Sequence, residues 1–148
     1  MKDQLQEAVE LFEEVMIYGT EHVVKNLDVP IWKDYSPEQI QVLKILSAYG
    51  HLSSGQLAEI QGVHKSAIST RLKKLVEKDL VQSEKDLNDQ RINRISLTAK
   101  GHEVLSVSNA AINESIENLF TDQIDEQELE QFIKTFRKLK SILVTKER

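Results

Sequence analysis

Two short helical patterns separated by a single glycine constrain the fold of this chain more than any other feature. The first pattern begins at Ser53, where Gln56 follows at the spacing of a capping box, and it ends at Gly62. The second pattern begins near His64 and ends around Asp79. The apolar residues expected to face the core are Leu57, Ile60, Ile68, Leu72, Leu75 and Val76. A short helix, a tight turn and a second helix predict a helix-turn-helix.

A hairpin pattern with a charged tip follows the second helix. Its turn contains Asn88 and Asp89, which are residue types that favour turns. The apolar residues on its two sides are spaced as in strands, and they are Leu80, Val81, Ile92, Ile95 and Leu97. The charged residues around the tip are Asp86, Asp89, Arg91 and Arg94. The sequence therefore predicts a two-stranded ribbon with a charged end.

Helical patterns also lie on both sides of this region. A first helix runs from about Asp3 to Leu27, and Pro30 interrupts the chain after it. Ser36 begins the next helix, which ends at Gly50. Two further helices follow the ribbon, and their capping residues are Thr98 for the first and Asp125 with Glu128 for the second. The predicted fold class is mainly α, a winged helix-turn-helix with a two-stranded β wing and flanking helices.

The apolar content of the terminal helices predicts a homodimer. The first helix carries two apolar lines, and the last carries the line Phe132, Phe136, Leu139 and Leu143. These surfaces exceed what a single packing partner requires. The expected organisation is one domain over 1–148, with a winged-helix part at 36–101 and dimerisation helices at 1–30 and 102–148.

Composition excludes several kinds of site and locates one basic segment. The absence of cysteine excludes disulfides, thiolate zinc sites and cysteine redox sensors. The acidic N-terminus does not resemble a signal peptide, and no apolar run has the length of a membrane span, so we expect a cytoplasmic protein with no membrane partner. The chain carries a net charge of −5, but Val63–Arg94 has eight Lys or Arg against five Asp or Glu. A locally basic surface suits contact with phosphates.

The polar face of the second helix of the helix-turn-helix has the properties that a DNA major groove requires. It combines small residues, hydroxyl groups and long cationic side chains near a helix N-terminus. At the ribbon tip, Arg91 is a candidate for the minor groove, and Asp89 is placed to hold it. The predicted DNA-contacting residues are Lys65, Ser66, Ala67, Ser69, Thr70, Lys73, Lys74, Asp89, Arg91 and Arg94.

Three stretches together resemble the MarR-type family of bacterial winged-helix transcription regulators. They are YSPEQIQVLKIL, LSSGQLAEIQGVHKSAISTRLKKLVEKDLV and DLNDQRINRISLTAKG, and the resemblance covers essentially the whole chain. The most specific part is the wing pattern Asp-x-x-Asp-x-Arg followed by Leu-Thr-x-x-Gly, which matches at Asp86, Asp89, Arg91, Leu97, Thr98 and Gly101.

The resemblance implies a function for each part of the chain. The helix from Lys65 to Lys78 would read the major groove, Arg91 would enter the minor groove, and the first and last helices would form a homodimer. A repressor that binds double-stranded DNA at an inverted-repeat operator is the implied function. The chain departs from the family pattern at Asp79, where glycine is common, at Gln90, where a basic residue is common, and at Thr70, where many members have arginine.

Small-molecule control is a further implication of the resemblance. The candidate effector-binding residues are Phe12, Met16, Trp32 and Tyr35, which combine apolar surface with polar groups. Packing of the first helix onto the second is the alternative explanation for Trp32 and Tyr35.

Other function classes have weaker support in the sequence. The four histidines are scattered, and the sequence has neither a nucleophile motif nor a glycine-rich phosphate loop, so we expect no enzymatic activity and no cofactor. His22 with Glu21, or His102 with Glu103, could contribute to a metal-responsive regulator, but neither pair has the spacing of a metal motif. A dimeric protein-interaction module on the same scaffold is the remaining alternative.

Overall fold

A computed structural model describes residues 1–146 of the chain. The helices are α1 (Lys2–Asn26), α2 (Ile31–Asp34), α3 (Pro37–Tyr49), α4 (Ser54–Gln61), α5 (Lys65–Glu77), α6 (Ala99–Phe120) and α7 (Glu126–Lys146). The strands β1 (Val81–Lys85) and β2 (Asn93–Leu97) form one antiparallel pair. The described residues divide into two compact units, with the division after Ile112. The predicted mainly α fold with a helix-turn-helix and a two-stranded wing is confirmed.

The helices α3 and α4 begin where local chemistry predicts, whereas the short helix α2 was not predicted from the sequence. Ser36 accepts a hydrogen bond from the amide of Gln39, whose side chain accepts one from the Ser36 amide. The same reciprocal pair joins Ser53 and Gln56 at the start of α4. Each pair satisfies two backbone donors that would otherwise lack partners. At the end of α4, Gly62 has a φ of 65°, a left-handed conformation that glycine adopts without strain.

The core of the first unit lies among α3, α4, α5, the wing and the start of α6. Its fully buried residues include Leu43, Leu46, Leu57, Ile68, Leu75 and Leu80. The wing is attached to this core by two hydrogen bonds between the backbones of Leu52 and Ile95. The prediction that Ile60 and Val76 face the core was wrong, since Ile60 is 41% exposed and Val76 is 51% exposed. In α4, Ala58 rather than Ile60 takes the second buried position beside Leu57.

A backbone junction joins the end of α5 to the first turn of α6. Asp79 has a φ of 60°, a left-handed conformation that aspartate tolerates better than most residues other than glycine. The Thr98 hydroxyl donates to the Asp79 carbonyl oxygen at 2.6 Å and accepts from the Gly101 amide at 3.0 Å. The Thr98 amide donates to the carbonyl oxygen of Leu80. A Cβ on Gly101 would lie 2.1 Å from that oxygen, which explains why this position needs glycine.

The two terminal helices expose much of their apolar surface. Within the described part of the chain, α1 buries none of its residues. Its exposed apolar residues include Leu5, Val9, Leu11, Phe12, Val15, Met16 and Ile17. In the second unit, α7 exposes Leu129, Phe132, Phe136, Leu139 and Leu143. Among residues 1–146, no helix combines the length and the apolar character that crossing a membrane requires.

Candidate nucleic-acid interface

The helix α5 presents one buried side and one polar side. Ile68, Leu72 and Leu75 are buried against the core. On the other side, the predicted contact residues Lys65, Ser66, Ser69, Thr70, Lys73 and Lys74 are exposed, and Ala67 is half-buried at the border. This separation follows from the apolar period of the sequence, because residues three and four apart share a helix face. The structure therefore brings the seven predicted α5 residues to one accessible surface.

Two side chains on this helix are oriented by specific contacts. The Thr70 hydroxyl donates to the Ser66 carbonyl oxygen at 3.0 Å. The Arg71 guanidinium donates from Nη1 to Oε1 of Gln61 at 2.8 Å and so joins the end of α4 to α5. Sequence reasoning left Arg71 without a role, since the pairing depends on how the two helices cross. The contact stabilises the angle between the two helices of the helix-turn-helix.

The wing tip is ordered by two aspartates. Asp86 Oδ1 accepts hydrogen bonds from the amides of Asn88 and Asp89, at 2.8 and 3.2 Å. Asp89 then holds Arg91 through three bonds, from the backbone amide and Nε to Oδ1, both at 3.0 Å, and from Nη2 to Oδ2 at 3.1 Å. The structure thus brings together the pair that the sequence predicted. Two parallel bonds between a guanidinium and a carboxylate fix the direction of the guanidinium.

The electrostatics of this pair are those of an exposed site. The side chain of Arg91 is 91% exposed, and that of Asp89 is 34% exposed. The Arg91 side chain, followed by its backbone amide, lowers the pKa of Asp89 below the ordinary value of 3.8. An exposed ion pair of this kind adds little to folding stability because water screens it. Its main consequence is therefore an arginine that is accessible and already oriented.

Arg94 differs from Arg91 in its surroundings. It lies on β2 directly across from Glu84 on β1, away from the tip. Its Nε is buried and has no hydrogen-bond partner among the described residues. The Nε of Arg94 is therefore shielded from water, whereas the Arg91 side chain is almost fully accessible.

The four candidate effector residues lie in two kinds of surroundings. Phe12 and Met16 are exposed on α1. Trp32 and Tyr35 are partly buried and pack against the core of the first unit. Trp32 Nε1 donates to the hydroxyl of the fully buried Ser108 at 2.9 Å. The structure does not test whether these four residues bind an effector, so the effector site stays a prediction.

Lys78, at the end of α5, contacts the segment that contains Tyr35. Its Nζ lies 5.0 Å from the centre of the Tyr35 ring and donates to the Asp34 carbonyl oxygen at 2.6 Å. A cation over an aromatic face is attracted by the ring electrons. Sequence reasoning missed this contact because Lys78 and Asp34 are 44 positions apart in the chain.

The two histidine pairs considered as alternative metal ligands belong to no metal cluster among the described residues. Among residues 1–146, no group of three histidine, aspartate or glutamate side chains is arranged to hold a metal ion. His22 contacts the Asn26 amide nitrogen across one helical turn, and Glu21 pairs with Lys25.

Comparison with known proteins places this interface in a family. The MarR family model matches residues 35–92, which include the helix-turn-helix and the wing tip. The chain is 42% identical to the uncharacterised HTH-type transcriptional regulator YdgG of Bacillus subtilis, over 95% of this chain and 93% of that protein. The fold is similar to that of a MarR family protein from Bacillus stearothermophilus, with a TM-score of 0.76, 18% identity, and coverage of 97% and 98% of the two chains. It is also similar to a mutant of MepR from S. aureus bound to an oligodeoxyribonucleotide, with a TM-score of 0.61, 23% identity, and coverage of 92% and 97%.

Proposed function

This chain belongs to the MarR family, and from that membership we propose that it is a sequence-specific transcription regulator that binds double-stranded DNA as a homodimer. This membership confirms the family resemblance that the helix-turn-helix and wing motifs indicated. The proposal includes repression at an inverted-repeat operator, a cytoplasmic location and the absence of enzymatic activity.

The observation that carries the proposal is the oriented arginine on the wing that follows α5. Arg91 is accessible and held in direction by Asp89. The α5 surface adds hydroxyl groups and lysines that suit base edges and phosphates. A helix in the major groove with an arginine in the adjacent minor groove uses both surfaces. The observed binding of an oligodeoxyribonucleotide by the structurally similar MepR mutant supports the same assignment.

The DNA-contact set that we propose has two parts. On the wing, Arg91 enters the minor groove and Asp89 holds it in position. The residues of α5 that contact the major groove and its phosphates are Lys65, Ser66, Ala67, Ser69, Thr70, Lys73 and Lys74. Arg94, whose Nε is buried, completes the set with a proposed phosphate contact from the wing.

Dimerisation is supported by the exposed apolar surfaces of α1 and α7. Each helix leaves large apolar side chains in water in the isolated chain. Contiguous apolar surface of this extent favours a protein partner. We assign that role to a second copy, with 1–148 acting as one domain and 1–30 and 102–148 as its dimerisation helices. Two-fold symmetry would then set the two α5 helices on half-sites about one turn of DNA apart.

A small-molecule effector completes the proposal. The segment containing Trp32 and Tyr35 follows α1 and contacts the end of α5 through Lys78. A ligand bound beside Trp32, Tyr35, Phe12 and Met16 would change DNA affinity only by binding one state of the dimer more tightly than the other.

Fluorescence anisotropy tests the proposal. Purified protein is titrated into duplex pools enriched for inverted repeats, across a series of salt concentrations, with unrelated DNA as the reference. Selective, salt-dependent binding is expected, because lysine and arginine displace counterions from phosphates. Light scattering at micromolar concentration should report a dimer. Binding no tighter than to unrelated DNA would reject the regulator function and favour a protein-interaction module.

Variants connect the binding to the proposed surfaces. Arg91→Ala should weaken operator binding at least tenfold, about 1.4 kcal/mol, and leave the dimer intact. Lys73→Ala should reduce the salt dependence by about one counterion for each protomer. Lys44→Ala, on the exposed side of α3, is the matched control for the loss of a lysine. Operator affinity unchanged in Arg91→Ala at moderate salt would remove the wing from the proposed interface.

A further inference from the structure

The hydroxyl group of Thr70 is committed to its own helix. It lies 3.0 Å from the Ser66 carbonyl oxygen. A carbonyl oxygen can only accept, so the hydroxyl must be the donor in this contact. The proton of Thr70 is therefore unavailable to a ligand. What Thr70 presents to its surroundings is a methyl group and an oxygen that can only accept.

Thr70 is also near the centre of the exposed face of α5. Ile68, Leu72 and Leu75 define the buried direction of this helix. With 3.6 residues per turn, Thr70 points within about 15° of the opposite direction, whereas Ser69 lies about 90° from it. Lys73 and Lys74 lie about 50° to either side of that direction and have the length to reach phosphates. Thr70 thus lies near the centre of the face that would meet the floor of a groove.

The edges of the bases in the major groove differ in what they offer such a side chain. Thymine carries a 5-methyl group, which packs favourably against a threonine methyl group. Guanine presents the acceptors N7 and O6, and thymine presents the acceptor O4 beside its methyl group, so only the methyl group separates the two bases for this side chain. A hydroxyl bonded to its own helix could donate to guanine only after giving up the bond to Ser66.

We propose that Thr70 is a specificity residue that selects thymine at one position of each half-site through contact between its Cγ2 methyl and the thymine 5-methyl group. This inference rests on the proposed function, since it concerns the DNA that the regulator reads. Lysines on both sides supply affinity that is independent of sequence.

The test removes the methyl group from each side of the contact separately. An operator is first selected with the wild-type protein, and each thymine in its half-sites is then replaced by deoxyuridine, which lacks only the 5-methyl group. Thr70→Ser removes the protein methyl group and keeps the hydroxyl. Thr70→Val keeps a methyl group at that place and removes the hydroxyl. Thr20→Val is the matched control, since the Thr20 hydroxyl makes the same kind of bond, to the Met16 carbonyl oxygen, on α1.

The expected result is specific to one position. For wild type and Thr20→Val, deoxyuridine at one thymine should weaken binding about fourfold for each half-site, the effect of burying one methyl group. Thr70→Val should retain this difference, and Thr70→Ser should bind the thymine and deoxyuridine operators equally. Circular dichroism and light scattering establish that each variant is folded and dimeric.

Other outcomes overturn the inference in distinguishable ways. If Thr70→Ser keeps the wild-type preference for thymine over deoxyuridine, or if wild type is insensitive at all thymines, Thr70 does not read a methyl group and the regulator function still stands. If the wild-type protein selects no operator, the proposed function itself fails, and this inference fails with it.

Discussion

Replacing Gly101 by alanine tests the junction between α5 and α6 more directly than any other substitution. The added Cβ would lie 2.1 Å from the Leu80 carbonyl oxygen and 3.1 Å from its carbonyl carbon. These atoms belong to the backbone of a fully buried residue, so a flexible side chain cannot move aside to make room. The first turn of α6 and the turn after α5 must instead separate by about 1.4 Å to reach an ordinary contact distance of about 3.5 Å.

The magnitude follows from two contributions. Forcing an extra methyl-sized group into a well-packed region destabilises a protein by about 1–3 kcal/mol. The displaced Leu80 oxygen also accepts the Thr98 amide at 3.1 Å, and weakening that hydrogen bond adds about 1 kcal/mol. A total of about 3 kcal/mol corresponds to a decrease in Tm of about 6–12 °C for a chain of this size.

Thermal and urea denaturation followed by circular dichroism measure this change. Gly55→Ala is the matched control, since a Cβ there would meet the Lys65 side chain at an ordinary 3.6 Å. Because Gly55 lies within α4, alanine should leave stability unchanged or raise it by up to about 1 kcal/mol. A Tm for Gly101→Ala within about 2 °C of wild type would refute the steric explanation of the Leu-Thr-x-x-Gly motif.

Three further predictions concern the turn, the buried tryptophan contact and the wing. Asp79→Gly should stabilise the protein by about 0.5–1 kcal/mol, because glycine adopts the φ of 60° with less strain than aspartate. Urea denaturation measures the change, and a loss of stability would contradict the prediction. Ser108→Ala should destabilise the protein by about 1–2 kcal/mol, because the indole N–H of Trp32 loses its acceptor. The fluorescence of Trp32, the single tryptophan, should change as well, and an unchanged spectrum would argue against the contact. Because Arg91 lowers the pKa of Asp89, the contact between them should persist from neutral pH down past 3.8 and be lost as pH falls through the lowered value. The NMR signal of Arg91 Nε–H reports this transition, and a midpoint near pH 5 would oppose it.

Much of the fold could be predicted because the signals are local. Ser36 and Ser53 each begin a helix as predicted, and each does so through a capping box with a partner three residues away. Asp89 reaches Arg91 across two positions, so the turn chemistry alone favours their contact. Family resemblance supplied the roles of these parts, which periodicity by itself only permits.

Predictions of burial were less successful at the borders of helices. Ile60 and Val76 are apolar and fit a helical period, yet both are exposed. Periodicity defines a face to within about one residue, and the neighbouring element decides which border residue is covered. In α4 the small side chain of Ala58 fits against the core where a larger one was expected.

The sequence by itself determined where the longer helices start, the order of the helix-turn-helix and wing, and the charged tip, because capping, turn formation and apolar period act within a few residues of the chain. It did not predict the short helix α2. Only the tertiary structure decided which distant groups meet. Trp32 and Ser108 are 76 positions apart, and Lys78 and Asp34 are 44 apart. The requirement for glycine at 101 likewise arises from the approach of the Leu80 backbone. Such contacts depend on the angles at which elements pack, which are set by the combined shape of many side chains rather than by any one stretch of sequence.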